Sequence, residues 1–313
     1  MKNIQPIRKD TTYHMRSAFV LSLVLWITAA MMLLALLFVK FSKEETVVYR
    51  QLHNKLLVEL ETQSLLEKLN FYIATGTFEN KTTENSYKNF KKRYLLDATK
   101  YNITDQDTNC TFTLLDNSAL FNFKVSDYNQ YISKIIENCS KKHYPLNDLY
   151  LDWIDLDDFS RVNGAEASDY LLEGYNYKPA NYSSFQTTDS INLLKGFLSL
   201  DHNCTKMIKK HITLYSYSAI NIFLIDRTIL NALFPDYSEG EIDKLLNLKS
   251  YDFNAYRNAF SLFSDDLIDV FPTRVVTINI SCMRQGVQAK LKAIIDFTTV
   301  NNQSLAVLEI KKY

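Results

Sequence analysis

The chain has 313 residues, 47% of them hydrophobic, and balances 35 Lys+Arg against 35 Asp+Glu. That length is enough to bury at least one sizeable core beside a membrane segment. Zero formal charge and the lack of a long basic run leave no electrostatic case for nucleic acid as a partner.

In chain order, the first feature is Ala18 to Val39, 22 residues without a charge. At about 1.5 Å per helical residue it covers a hydrocarbon core of about 30 Å. A cleaved signal peptide would have a shorter apolar region and a small-residue cleavage site, which Lys40-Phe41-Ser42-Lys43 does not offer. Lys2, Arg8, Lys9 and Arg16 precede the run, so the positive-inside rule predicts a cytoplasmic leader over 1–17 and an exported remainder. Helical spacing continues through Leu52, Leu56, Leu60, Leu65 and Leu69, and no Pro or Gly interrupts Ala18 to Ala74. The prediction is one helix, transmembrane over 18–39 and amphipathic over 40–74. A separate juxtamembrane coiled coil is the competing arrangement.

Thr75 to Thr83 reads as a polar connector, followed by strands near Phe112 to Leu115 and Ala119 to Val125. Residues 75–126 are thus assigned to early strands. A weak internal repeat, about 99 residues apart, relates Leu114 to Ile136 with Tyr217 to Phe234. Each copy places an Asn, Asn122 or Asn221, in a short strand before a helix. A helical region is expected over 127–271, in two parts at about 127–200 and 201–271. The tail returns to alternation over Arg274 to Met283, Val287 to Thr298 and Ser304 to Ile310, so that 272–313 supplies late strands of an antiparallel sheet.

Inside the helical region lies the densest chemistry. Asp152, Asp155, Asp157 and Asp158 are followed by the turn-forming Asn163-Gly164 and then Glu166. Calcium takes 6 to 8 oxygen ligands on such loops, although no EF-hand spacing is present. A solvated acidic loop explains the same residues without a metal. Pro179 holds Lys178 extended, and Tyr175 and Tyr177 can lie on an apolar surface with their hydroxyls wet.

The four cysteines, Cys110, Cys139, Cys204 and Cys282, are even in number and all fall in the exported part, which fits export, with disulfides and free buried thiols as the two alternatives. Three pairings are possible, and Cys110 with Cys139, which would clip the first repeat, is the favoured one. Five dispersed histidines and the lack of a G-x-S-x-G elbow argue against an enzyme.

The residues Asp152-Trp153-Ile154-Asp155-Leu156-Asp157, Asn163-Gly164-Ala165-Glu166, Tyr170, Tyr177-Lys178-Pro179-Ala180-Asn181 and Lys195-Gly196 form a long combination. It resembles the type II secretion system protein K family, the minor pseudopilins at the pseudopilus tip. Two departures stand out: Ser160-Arg161 where the family usually has a proline, and Asp189-Ser190-Ile191 where it has Ser-Glu-Leu. The resemblance implies an α+β, type IV pilin-like fold. A long N-terminal helix would pack on an antiparallel sheet that carries an insertion of two helix-hairpin-helix-like modules. It implies Trp153, Gly164, Tyr177, Pro179 and Asn181 as structural motif positions, with Asn122 and Asn221 opening the two modules. It also implies prepilin-peptidase-like cleavage between Ser17 and Ala18, and no need for an acid at Ser22. The same resemblance implies calcium in the insertion; together with the clustered acids it nominates Asp155, Asp157, Asn163 and Glu166 as ligands.

The function so implied is structural, in a subunit that helps export folded proteins across the outer membrane. Its surroundings would be other minor pseudopilins, the major pseudopilin, the lipid bilayer and secreted substrates. The location would be the bacterial inner membrane, single-pass, with the C-terminal part periplasmic. A signal-anchored surface or viral glycoprotein is the alternative, encouraged by sequons at Asn80, Asn102, Asn109, Asn138, Asn181, Asn203, Asn279 and Asn302. A membrane-anchored calcium-dependent hydrolase is a third reading.

Overall fold

In a computed structural model of the chain, which describes residues 11–79, 82–84, 93–105, 107–181, 185–216, 219–263, 267–298 and 306–312, the first element is α1 (Thr11–Ala74). Only the backbone is described at 11–18, which include Ser17 and Ala18, and residues 1–10 of the expected leader lie outside the described residues. Its 64 residues give a rod of about 96 Å. The N-terminal part is long and apolar enough to cross a membrane by length and composition, and its side chains from Phe19 to Val39 are exposed. Toward the other end, Val58, Thr62, Leu65, Leu66, Leu69 and Ile73 recur every three to four residues and are buried.

Strands β1 (Thr77–Glu79), β2 (Thr82–Glu84) and β3 (Arg93–Leu95) make a small antiparallel meander before the longer β4 (Asp97–Asp105) and β5 (Thr108–Asp116). The helical region then follows as β6 (Phe121–Asn122), α2 (Ser126–Ser140), α3 (Leu146–Ile154), α4 (Ala167–Leu172), α5 (His202–His211), β7 (Ile212–Thr213), β8 (Ile220–Asn221), α6 (Arg227–Leu233), α7 (Glu239–Tyr251), α8 (Phe253–Asn258) and β9 (Ile268–Asp269). The chain returns to β10 (Val275–Arg284), β11 (Val287–Asp296) and β12 (Ala306–Lys312). Five strands form one antiparallel sheet in the order β12-β11-β10-β5-β4. The early strands therefore pair with the late ones, and the helical region leaves and rejoins between β5 and β10.

The buried stripe of α1 packs against β10 and β11. Phe112, Leu114, Ile278, Ile280, Leu291 and Ile295 complete this core, each fully buried aliphatic contributing about 1.5–3 kcal/mol. Gln285 and Gly286 both have positive φ, 45° and 82°, as a two-residue β10–β11 turn requires. Arg284 at that turn reaches Glu61 of α1 at 3.2 Å, which ties the hairpin tip to the helix.

Two expectations are corrected here. Ala119 to Val125 does not join the sheet under α1. It forms a 3-10 turn and β6, which pairs in parallel with β7, far along the chain. A backbone leaving the sheet at buried Asp116 cannot continue the ladder. The favoured Cys110–Cys139 link is also replaced, by Cys110–Cys282 and Cys139–Cys204. Cys110 and Cys282 are direct partners in the β5–β10 register, whereas Cys139 on α2 faces Cys204 on α5 across a Cα separation of 5.5 Å.

The internal repeat has a structural counterpart. β6 pairs in parallel with β7, and β8 pairs in parallel with β9. In each copy the Asn side chain accepts from the backbone two residues on, Lys124 N to Asn122 Oδ1 at 3.0 Å and Phe223 N to Asn221 Oδ1 at 2.9 Å. This is an Asx turn, and it explains why Asn occupies both slots. Because α5 is cross-linked to α2 and β7 closes on β6, the first closed unit runs to Thr213, past the division expected near residue 200. Both units share one apolar core.

Candidate functional site

α3 ends in Leu151-Asp152-Trp153-Ile154, with Asp155 as its C-cap. Trp153 is buried and packs with tilted or edge-on geometry against Tyr170, Tyr177 and Phe185. Asn181 N donates to Trp153 O at 3.2 Å, and Asn181 takes the left-handed conformation with φ 37°. Pro179 is buried. Three tyrosine hydroxyls clamp Lys195-Gly196: Tyr144 donates to Lys195 O at 2.8 Å, Tyr170 accepts from Lys195 N at 2.9 Å, and Tyr175 accepts from Gly196 N at 3.1 Å. The scattered motif residues thus build one aromatic cluster.

Against this cluster the loop 155–166 folds back on α3. One turn separates Asp152 from Asp155, so both carboxylates project from the same side. Oxygens of Asp152, Asp155 and Glu166 converge within 4.8 Å of one another. Gly164 makes the approach possible, since a Cβ there would lie 1.8 Å from Asp152 Oδ2. The Arg161 guanidinium bridges Asp152 and Asp155, and its own backbone N donates to Asp152 Oδ2 at 3.0 Å. Glu166 is 1% exposed, and neither of its carboxylate oxygens has a hydrogen-bond partner. Asp155 Oδ1 is likewise buried without a partner.

Burial, with the neighbouring charges of Asp152 and Asp155, pushes the Glu166 carboxyl up to about 7. An isolated buried carboxylate is costly and calls for a cation or a proton. The donor set is all oxygen and anionic, which suits a hard cation such as calcium.

The acids that converge are not the same set that the sequence nominated. Asp155 and Glu166 are in the cluster, but Asp157 and Asn163 are not. Asp157 is exposed and its Oδ1 accepts from Phe159 N at 2.9 Å. Asn163 points away, its backbone and side-chain nitrogens both directed at Asp148 Oδ2, at 3.3 and 3.4 Å. Asp152 takes their place. The signal that could have found it is the i, i+3 spacing of Asp152 and Asp155, which share one side at the end of a helix, as against residue adjacency in a loop.

Beyond its own residues, the chain matches no protein-family model and no curated protein. Among solved structures it superposes on a chain of the GspK-GspI-GspJ complex from the enterotoxigenic Escherichia coli type 2 secretion system. The TM-score is 0.55 at 15% sequence identity, over 86% of this chain and 99% of that one. The chain has a GspK-like fold. In this chain a long N-terminal helix, an antiparallel sheet and further helices make up the structure, and 86% of the chain takes part in that likeness.

Proposed function

We propose that this chain is a minor pseudopilin of a type II secretion system, a structural subunit rather than a catalyst. The observation that carries the reading is α1, apolar and exposed over its first half and packed on the sheet over its second, within a fold that matches the GspK-like chain over nearly its whole length. The exposed half would cross the inner membrane with the N-terminus cytoplasmic, following the basic residues before it. Its partners would be the other minor subunits, counterparts of GspI and GspJ, and the major pseudopilin. Calcium would be held by Asp152, Asp155 and Glu166, where it would neutralise converging acids and tie the end of α3 to the start of α4. In a host with such a system, deletion of residues 1–43 is expected to abolish co-isolation with the other minor subunits and halt secretion. Ser22→Leu is expected to secrete normally, because that slot lies in lipid. Secretion restored by the truncated chain would overturn the reading.

A further inference from the structure

The cluster of Asp152, Asp155 and Glu166 already contains a cation, and it belongs to the protein. Arg161 spends both its main chain and its side chain on these acids. Its backbone N holds Asp152 Oδ2 at 3.0 Å, while its guanidinium spans Asp152 Oδ1 and Asp155 Oδ2. Three carboxylate oxygens are left over: Asp155 Oδ1 and both oxygens of the 1% exposed Glu166. A hard divalent ion needs more than these three and would recruit the oxygens that Arg161 occupies. Two cations on the same carboxylates repel strongly at such short range.

The guanidinium has a way out. Arg161 is 37% exposed, whereas Asp152 is fully buried. The segment that carries Arg161 is held by little packing, since Leu156, Phe159 and Val162 are all solvent-facing, Val162 at 97%. Besides Arg161, one side-chain tether within the segment is Ser160 Oγ, which donates to the Asp169 carboxylate at 2.7 Å.

We propose that Arg161 is a tethered counter-cation that competes with a divalent ion for the Asp152, Asp155 and Glu166 carboxylates. Ion binding then swings the guanidinium into solvent and loosens the 156–162 loop. This rests on the cation-site reading above and adds to it an affinity set by a residue that is not a ligand. Without the ion the acids remain partly compensated and the loop stays docked. With it, the loop bearing the exposed Phe159 and Val162 is freed from its Arg161 anchor.

The test uses the full chain in detergent, with calcium alone as the titrant. R161Q is expected to bind calcium at least about tenfold tighter than the unaltered chain, about 1.4 kcal/mol. R161K, which keeps the charge but loses the fork that spans two carboxylates, falls between. E166Q binds in neither background. In the unaltered chain, calcium is expected to speed tryptic cleavage after Arg161 relative to cleavage at other sites. Equal affinity in R161Q, R161K and the unaltered chain, or calcium slowing that cleavage, overturns the competition while leaving the cation site standing. Absence of calcium binding in the unaltered chain and both Arg161 variants overturns both.

Discussion

Two buried acids in this chain, Asp116 and Glu166, lie equally deep and differ in what surrounds their oxygens. Asp116 is fully buried where the helical region leaves the sheet, and it accepts from Ser118 N and Oγ, Thr273 N and Oγ1, and Arg274 N at 2.5 to 3.2 Å. Burial raises its carboxyl, and these hydrogen bonds pull it back in part. One residue so holds both ends of the insertion together, using neutral donors supplied by the fold. Glu166 is just as deep, yet neither of its oxygens has a partner at hydrogen-bond distance and geometry, and other acids converge on it. Equal burial with opposite satisfaction separates an architectural acid from the one at the proposed cation site.

The contrast breaks first, and most severely, at Asp116. Asp116→Ala leaves five donors without their acceptor and is expected to cost about 4 kcal/mol, since each orphaned buried group costs about 1–3 kcal/mol and partial rehydration recovers some of it. Denaturant unfolding of the full chain in detergent measures this, and calcium should not alter the loss.

At the other acid, calcium at about 100 times its dissociation constant should stabilise the chain by about 2.7 kcal/mol over excess chelator. A smaller effect of opposite sign to that of Asp116→Ala is expected from Glu166→Gln in chelator at pH 8, a gain of about 1 kcal/mol, because an uncompensated buried charge is removed. The gain should be pH-dependent. The Glu166 carboxyl is at about 7 in the fold against 4.5 as an ordinary Glu, so the folded chain holds the proton more tightly. The unaltered chain is therefore more stable below about 4.5 and loses that advantage as pH rises through 7. Thermal midpoints of both forms should diverge across that window, and a constant difference would refute the assignment.

Asp226 offers the mirror image and the smallest effect. Burial lifts its carboxyl, but the hydrogen bond and charge of His211 overcome this and bring it down to about 2. His211 Nε2 donates to Asp226 Oδ2 at 2.8 Å while Asp226 Oδ1 caps α6 through Thr228 N and Ile229 N. A depressed carboxyl contributes stability above its ordinary 3.8 and loses it as pH falls toward 2. Near-UV dichroism should show packing around α6 weakening in that range, and Asp226→Asn should already be weakened at neutral pH.

Much of the fold was legible in the residues alone, because it follows from local pattern. An unbroken apolar run makes α1, strict alternation flanking Gln285-Gly286 makes the β10–β11 hairpin, and an Asn two residues before a free backbone N–H makes each Asx turn. Position in sequence decides these, since helix and Asx-turn partners lie within a few residues and the two hairpin strands adjoin their turn. The cystine partners, the departure of β6 from the sheet and the replacement of Asp157 and Asn163 by Asp152 were settled only in three dimensions. Cys110 meets Cys282 across 172 residues because β5 and β10 share a register. Glu166 meets Asp152 because Gly164 leaves room where any side chain would collide. Convergence of distant side chains depends on how whole elements pack, and neither spacing nor composition encodes that distance.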